Sequence, residues 1–130
     1  MPRAYTVATA AVALEVPAKW IDNTLSHYKV AGVVQRRQGI PRRLTIEGLL
    51  VLSTALLLTA DLGTSLANAL DIAGHIVANE GPLLSPGGIR IELDLQSLKD
   101  RLLSRLEHAV EVAPLPRRGR PPKNTTGRLE

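Results

Sequence analysis

The sequence predicts a mainly α-helical domain with a small β-hairpin and a basic C-terminal tail. The chain of 130 residues is 45% hydrophobic but only 2% aromatic, and it contains no phenylalanine. Its core must therefore consist of leucine, valine, isoleucine and alanine, which suits packed helices. Apolar residues recur at helical spacing in several segments. Around Gly39, by contrast, two short runs of apolar and basic residues flank a turn signal.

The first two predicted helices are short and separated by a tight turn. Thr6 is the predicted N-cap of the first helix, and apolar residues then recur at i, i+3, i+4 and i+7 from Val7 to Leu14. Pro17 suits the first turn of the second helix, which extends to Tyr28. Two such helices form a helix-turn-helix pattern, with the second contacting DNA. The candidate DNA-binding residues on the polar face of this second helix are Lys19, Asn23, Ser26 and His27.

A basic β-hairpin is predicted between residues 30 and 44, with Gly39 at its turn. Pro41 restricts its strand to an edge or irregular position because proline cannot donate a backbone hydrogen bond. A hairpin next to a helix-turn-helix is a wing, and wings contact phosphates or the adjacent minor groove. The candidate DNA-binding residues of the wing are Lys29, Arg36, Arg37, Arg42 and Arg43.

Two further helices are predicted to build the core. Thr45 is the predicted cap of a helix from Ile46 to about Ala60, which is apolar on nearly all sides. It is too short to span a bilayer, so we expect a central core helix or part of an interface. Leu62-Gly63 ends it, and Thr64 or Ser65 begins a fourth helix that ends near Gly81. The inward residues of this fourth helix are predicted to be Leu66, Leu70, Ala73, Ile76 and Val77.

The remaining chain is predicted to contain a linker, a strand, a last helix and a tail. The linker covers residues 82–88, and Ile89 to Leu93 alternate at period two, as a strand does. Asp94 is the predicted cap of the last helix. Its apolar stripe either packs on the domain or forms a dimer, and the candidate dimer residues are Leu98, Leu102 and Leu106. We thus divide the chain into a DNA-binding domain (1–81), a candidate dimerisation element (82–113) and a tail (114–130) that is disordered without DNA.

The net charge of +4 is unevenly distributed. Ten of the 16 basic residues lie in two segments without acids, and the remaining six stand against twelve acids, a net of −6. An acidic body with two basic patches is the electrostatic pattern expected of a nucleic-acid binder. The first patch is the predicted wing. The second patch contains Arg117, Arg118, Arg120, Lys123 and Arg128.

The second patch has a distinctive arrangement around Gly119. Prolines favour an extended backbone, and glycine lets that backbone approach the floor of a narrow A·T-rich minor groove, where the potential attracts arginine. The segment Arg118-Gly119-Arg120-Pro121 with its basic flanks resembles an AT-hook. A solubilising tail, or one that binds any polyanion, is the alternative. The candidate DNA-binding residues of the tail are Arg117, Arg118, Gly119, Arg120 and Lys123.

The order of the elements resembles the winged helix-turn-helix of the MerR family and its excisionase-like relatives. The motifs that carry the likeness are Tyr5-Thr6-Val7, Gly32-Val33-Val34, the turn at Gly39, Arg42-Arg43, Leu44-Thr45 and Asp61-Leu62-Gly63-Thr64-Ser65-Leu66. This resemblance implies DNA binding and, in many members, control of transcription. It does not imply an inducer.

Other classes of function find less support in the sequence. The chain has no glycine-rich phosphate loop, no carboxylate pair near a histidine and no nucleophile motif, so we do not expect an enzyme. With no cysteine and three dispersed histidines, we expect no metal, no other cofactor and no small-molecule ligand. The N-terminus lacks the apolar run of a signal peptide, which predicts a cytoplasmic protein at the nucleoid, without a membrane partner.

We therefore expect a homo-oligomeric transcriptional regulator that binds double-stranded, A·T-rich DNA. In the major groove, Asn23 would pair with adenine and Lys19 with guanine, although the same residues also suit an ordinary solvated helix face. Two alternatives stay open. One is a nucleoid-associated or silencing protein that coats A·T-rich DNA. The other is a protein-interaction module, such as an antitoxin or a phage accessory factor.

Overall fold

The computed structural model describes residues 3–35 and 41–112, which form a mainly helical fold with a small antiparallel sheet, as the sequence predicts. The helices of this part are α1 (Val7–Leu14), α2 (Ala18–His27), α3 (Ile46–Leu62), α4 (Leu66–Asn79) and α5 (Leu95–Val112). The strands are β1 (Ala4–Thr6), β2 (Val33–Val34), β3 (Arg43–Thr45), β4 (Leu83–Leu84) and β5 (Arg90–Ile91).

Side-chain caps begin four of these helices at the predicted residues. Each cap oxygen accepts a hydrogen bond from a backbone N–H of the first turn, which would otherwise lack a partner. The cap bonds are Thr9 N to Thr6 Oγ1 at 3.1 Å, Gly48 N to Thr45 Oγ1 at 3.3 Å, Asn68 N to Ser65 Oγ at 3.2 Å and Ser97 N to Asp94 Oδ1 at 3.1 Å. Helix α3 ends at Gly63, in the left-handed conformation typical of a helix C-terminus.

The first sheet has the strand order β1-β3-β2, with both pairings antiparallel. Strands β2 and β3 confirm the predicted hairpin, pairing Val33 with Leu44 and Val34 with Arg43, whereas its predicted turn at Gly39 lies outside the described residues. Strand β1 was not predicted. It pairs Tyr5 with Leu44, and both side chains are buried. Three residues are too few to show a period of two, so the sequence carried no signal for this strand.

A second hairpin replaces part of the predicted linker. Leu83 pairs with Ile91 and Leu84 with Arg90, so the prediction of a linker over residues 82–88 was wrong at β4. The turn between the strands is held by a hydrogen bond from Ser85 N to Ile89 O at 2.8 Å, and Gly88 supplies a positive φ of 95°. Of the strand predicted over residues 89–93, only Arg90–Ile91 is a strand, β5.

One hydrophobic core joins the helices of the described part. Helix α3 supplies the fully buried Leu49 and Leu52, and helix α4 packs against it. The residues predicted to face inward on α4 are buried or partly buried: Leu70, Ala73 and Val77 belong to this core, Leu66 is partly buried against it, and Ile76 is 1% exposed. The apolar character of α3 on nearly all sides is thus explained by burial. No helix in residues 3–35 or 41–112 is long and apolar enough to cross a membrane.

Helix α5 belongs to the same core. It packs against α1, and its Leu102 and Leu106 are each only 2% exposed, while Leu98 is partly buried against the cluster. The sequence left two options for this stripe, packing on the domain or formation of a dimer. The burial of Leu102 and Leu106 matches packing on the domain itself. Val110, which belongs to the same apolar stripe of the sequence, is 47% exposed. The leucines thus need no second chain to account for their apolar character.

Candidate nucleic-acid interface

Helix α2 has an inward and an outward face. Ile21 and Thr24 are buried and Leu25 is partly buried, which places this stripe against the domain. The outward stripe is formed by exposed residues at positions i, i+3, i+4 and i+7, which are neighbours on a helix surface. Its members are Lys19, Asp22, Asn23 and Ser26, with His27 beside them one turn after Asn23.

Arg42 connects the β2–β3 hairpin to this outward stripe. Its Nη2 donates to Ser26 Oγ at 3.3 Å, and its Nη1 lies 3.7 Å from Asp22 Oδ1. The Arg42 side chain is 24% exposed and that of Asp22 55% exposed. The base of the hairpin therefore lies beside the outward face of α2. This contact brings together two of the regions that were separately predicted to bind DNA.

Ser26 is part of the same contact. Its hydroxyl donates to the backbone oxygen of Asp22 at 2.8 Å while its oxygen accepts from Arg42. A hydroxyl has only one proton to donate. Ser26 therefore holds Arg42 against the helix, and it has no second proton to offer a base or phosphate in this arrangement.

His27 and Asn23 are also linked. His27 Nδ1 lies 2.8 Å from the backbone oxygen of Asn23, and a carbonyl oxygen can only accept, so Nδ1 carries a proton. In the neutral ring Nε2 is then an acceptor. The side-chain amide of Asn23 is exposed and makes no hydrogen bond within the described part of the chain. Asn23 thus keeps both its donor and its acceptor available.

Three further cations among the predicted DNA-binding residues are exposed and have no ion-pair partner within residues 3–35 and 41–112. They are Lys19 on α2, Lys29 just beyond its C-terminus, and Arg43 at the start of β3. Arg42 and Arg43 are adjacent in an extended segment, so their side chains point to opposite sides. Arg42 is directed to α2, whereas Arg43 has no ion-pair partner among the described residues.

A close backbone contact fixes the hairpin to helix α3. The backbone oxygen of Gly32 accepts from Thr45 N at 2.8 Å and from Thr45 Oγ1 at 2.9 Å. Gly32 has a φ of 84°, and a Cβ placed on Gly48 would lie 2.8 Å from Gly32 O. Glycine is required on both sides of this contact. A glycine in an apolar helix is the signal that could have indicated the role of Gly48.

The other predicted site residues fall into two groups. Leu98, Leu102 and Leu106 lie on α5 as described above. The second group lies outside the described residues and consists of Arg36, Arg37, Arg117, Arg118, Gly119, Arg120 and Lys123. Within residues 3–35 and 41–112, no group of three or more histidines or acids is placed to hold a metal ion.

Comparisons with known proteins give no relative for this chain. No protein-family model, no curated protein and no solved structure matches it significantly. Its function is therefore inferred from its own residues.

Proposed function

We propose that this chain is a DNA-binding transcriptional regulator in which α1, α2 and the β2–β3 hairpin form a winged helix-turn-helix. The observation that carries the proposal is the contact of Arg42 with Asp22 and Ser26, which holds the hairpin beside the outward face of α2. A recognition helix and a wing can contact one duplex only when they present polar side chains to the same side of the domain.

The proposed roles follow from the free hydrogen-bonding groups. Asn23 has a free amide and suits adenine, and Lys19 on the same face suits guanine. Lys29 and Arg43 suit phosphates, because they are exposed cations without an ion-pair partner in the described part of the chain. The tail, with its AT-hook-like Arg118-Gly119-Arg120, would anchor an adjacent A·T-rich minor groove.

The basic test is selection of DNA fragments from a random library, followed by affinity measurements on the selected and a scrambled duplex. A sequence-specific regulator binds the selected duplex more tightly at equal salt concentration. Equal affinity for both would contradict it. Stoichiometric co-purification of another protein, without DNA affinity, would instead favour the interaction module.

A nucleoid-associated protein that coats A·T-rich DNA is the second candidate, favoured by the Arg-Gly-Arg core of the tail. In that case the tail, rather than α2, would be the main DNA contact. Footprinting separates the two candidates. A discrete protected site supports the regulator, and protection that spreads along A·T-rich DNA supports the coating protein.

Replacement of Arg43 by alanine should weaken binding to the selected and the scrambled duplex to a similar degree. We expect the slope of log affinity against log salt to fall by about 1, because one phosphate contact is lost. Arg90→Ala is the matched control, since Arg90 is an exposed arginine of the second hairpin and pairs with Glu92. Equal effects of the two substitutions would show that Arg43 has no specific role.

Deletion of residues 117–123 should lower the same slope by at most about 3–4, if each of its four basic residues contacts one phosphate. The preference for A·T-rich flanking DNA should be lost at the same time. Titrations at several salt concentrations measure both quantities. An unchanged slope would mean that the tail takes no part in binding.

A further inference from the structure

A carboxylate stands in the middle of the proposed DNA-binding face. Asp22 lies on the outward stripe of α2 between Lys19 and Ser26, and its side chain is 55% exposed. Phosphate repels a carboxylate, so Asp22 would oppose any binding that depends on the DNA backbone alone. An acid at this position is compatible with DNA binding only if its charge is offset and its oxygens find donors.

Arg42 offsets the charge of this carboxylate. Its Nη1 lies 3.7 Å from Asp22 Oδ1, and its Nη2 is held by Ser26 at 3.3 Å. The Ser26 hydroxyl in turn donates to the backbone oxygen of Asp22. Ser26 thus holds one guanidinium group beside the Asp22 carboxylate. The exposure of this carboxylate leaves it able to accept a further hydrogen bond.

The major groove contains few groups that can donate to a carboxylate. Guanine presents two acceptors, N7 and O6, and thymine presents the O4 acceptor and a methyl group. Adenine offers its amino group next to the N7 acceptor, which repels a carboxylate and suits an amide instead. Cytosine offers its N4 amino group as a donor. The base that best matches a carboxylate in the major groove is therefore cytosine.

We propose that Asp22 is a specificity-determining residue that accepts a hydrogen bond from the N4 amino group of a cytosine in the major groove. Arg42 acts as a positioning residue that holds the carboxylate and offsets its charge. This inference rests on the proposed function. It adds the expectation that the DNA site has a C·G base pair opposite α2, beside the A·T-rich flank assigned to the tail.

The test compares DNA selection by the wild-type chain and by Asp22→Asn. We expect the wild type to enrich cytosine at one position, and Asp22→Asn to lose that preference. On duplexes that differ only at this base pair, discrimination should fall by about 5- to 140-fold, the range expected for one specific base contact. Affinity for a scrambled duplex should rise in Asp22→Asn, because a phosphate-repelling charge is removed.

A cytosine analogue without the 4-amino group tests the contact directly. Its incorporation should weaken binding of the wild type but leave the affinity of Asp22→Ala unchanged. Arg42→Lys should keep part of the cytosine preference, and Arg42→Gln should lose it. Asp61→Asn is the matched control, because it removes the same charge from an exposed acid on α3 and should leave base preference unchanged.

The outcomes separate this inference from the proposed function. A wild type that selects a site and an Asp22→Asn variant that selects the same site with the same cytosine preference would overturn the role of Asp22 alone. A wild type that selects no sequence would overturn both. The fluorescence of Trp20, the single tryptophan, verifies that each variant is folded.

Discussion

Replacement of Leu102 by alanine is expected to lower the free energy of unfolding by about 2–5 kcal/mol, the range measured for large-to-small substitutions in protein cores. Leu102 is 2% exposed and lies where α5 packs against α1. The substitution removes buried apolar surface and leaves a cavity in the shared core. Urea denaturation followed by the fluorescence of Trp20, which is partly buried against the core, measures the change.

Leu103→Ala is the matched control for this prediction. Leu103 is the next residue on the same helix but is 37% exposed, so its truncation should cost much less. Equal costs at the two positions would contradict the placement of α5 in the core. A wild-type midpoint that rises with protein concentration would show that the fold is also stabilised by an oligomer.

Substitution of Gly48 by alanine is expected to lower the free energy of unfolding by about 1–3 kcal/mol, as overpacked sites do. A Cβ at Gly48 would lie 2.8 Å from Gly32 O and 3.0 Å from Gly32 C, and both are backbone atoms that a side-chain rotation cannot move. The hairpin would have to shift away from α3. The same denaturation assay measures the loss, and DNA affinity should fall with it because Arg42 and Arg43 follow the hairpin.

For Gly74→Ala, in another helix, we expect the opposite result, a gain in stability. Gly74 lies inside α4, and a Cβ there would meet no atom within 4 Å. Alanine favours helix over glycine by about 0.8–1.0 kcal/mol, so this variant should be more stable than the wild type. If both alanine substitutions changed stability in the same direction, the close contact between Gly32 and Gly48 would not be the cause.

The helices could be predicted from the sequence because the determining interactions are local. Thr6, Thr45, Ser65 and Asp94 each cap a helix through an N–H three residues ahead, so the signal lies within one turn of chain. The buried positions of α4 could be predicted because apolar residues recur along it at intervals of three and four. On α5, Val110 shares the apolar spacing of Leu102 and Leu106 but is 47% exposed, so spacing alone does not predict its burial.

The short strands could not be predicted in the same way. Strand β1 pairs with β3, and the two are separated along the chain by α1, α2 and β2. Strand β4 has only two residues. A strand of this length shows no alternation, and its pairing is decided by the fold.

The candidate interface was partly predictable. Lys19, Asn23, Ser26 and His27 were identified from helical spacing, and the structure places them on the exposed face of α2. The contact between Asp22 and Arg42 was not identified, because it joins a helix to a hairpin through tertiary packing. Ser26 was assigned to DNA from its place on the polar face of the helix, whereas its hydroxyl is engaged by Asp22 and Arg42.

The central position of β3 makes the β2–β3 hairpin dependent on the N-terminal part of the chain. Strand β2 reaches β3 through a short segment, but β1 reaches it only after α1 and α2 have been traversed. Closing that longer loop costs chain entropy, which must be recovered by the packing of both helices. We therefore expect the sheet to be completed late in folding and to open together with the helices. The amide protons that β3 donates to β1 should then exchange with solvent only through this larger opening, so that the rigidity of the hairpin reflects the stability of the domain.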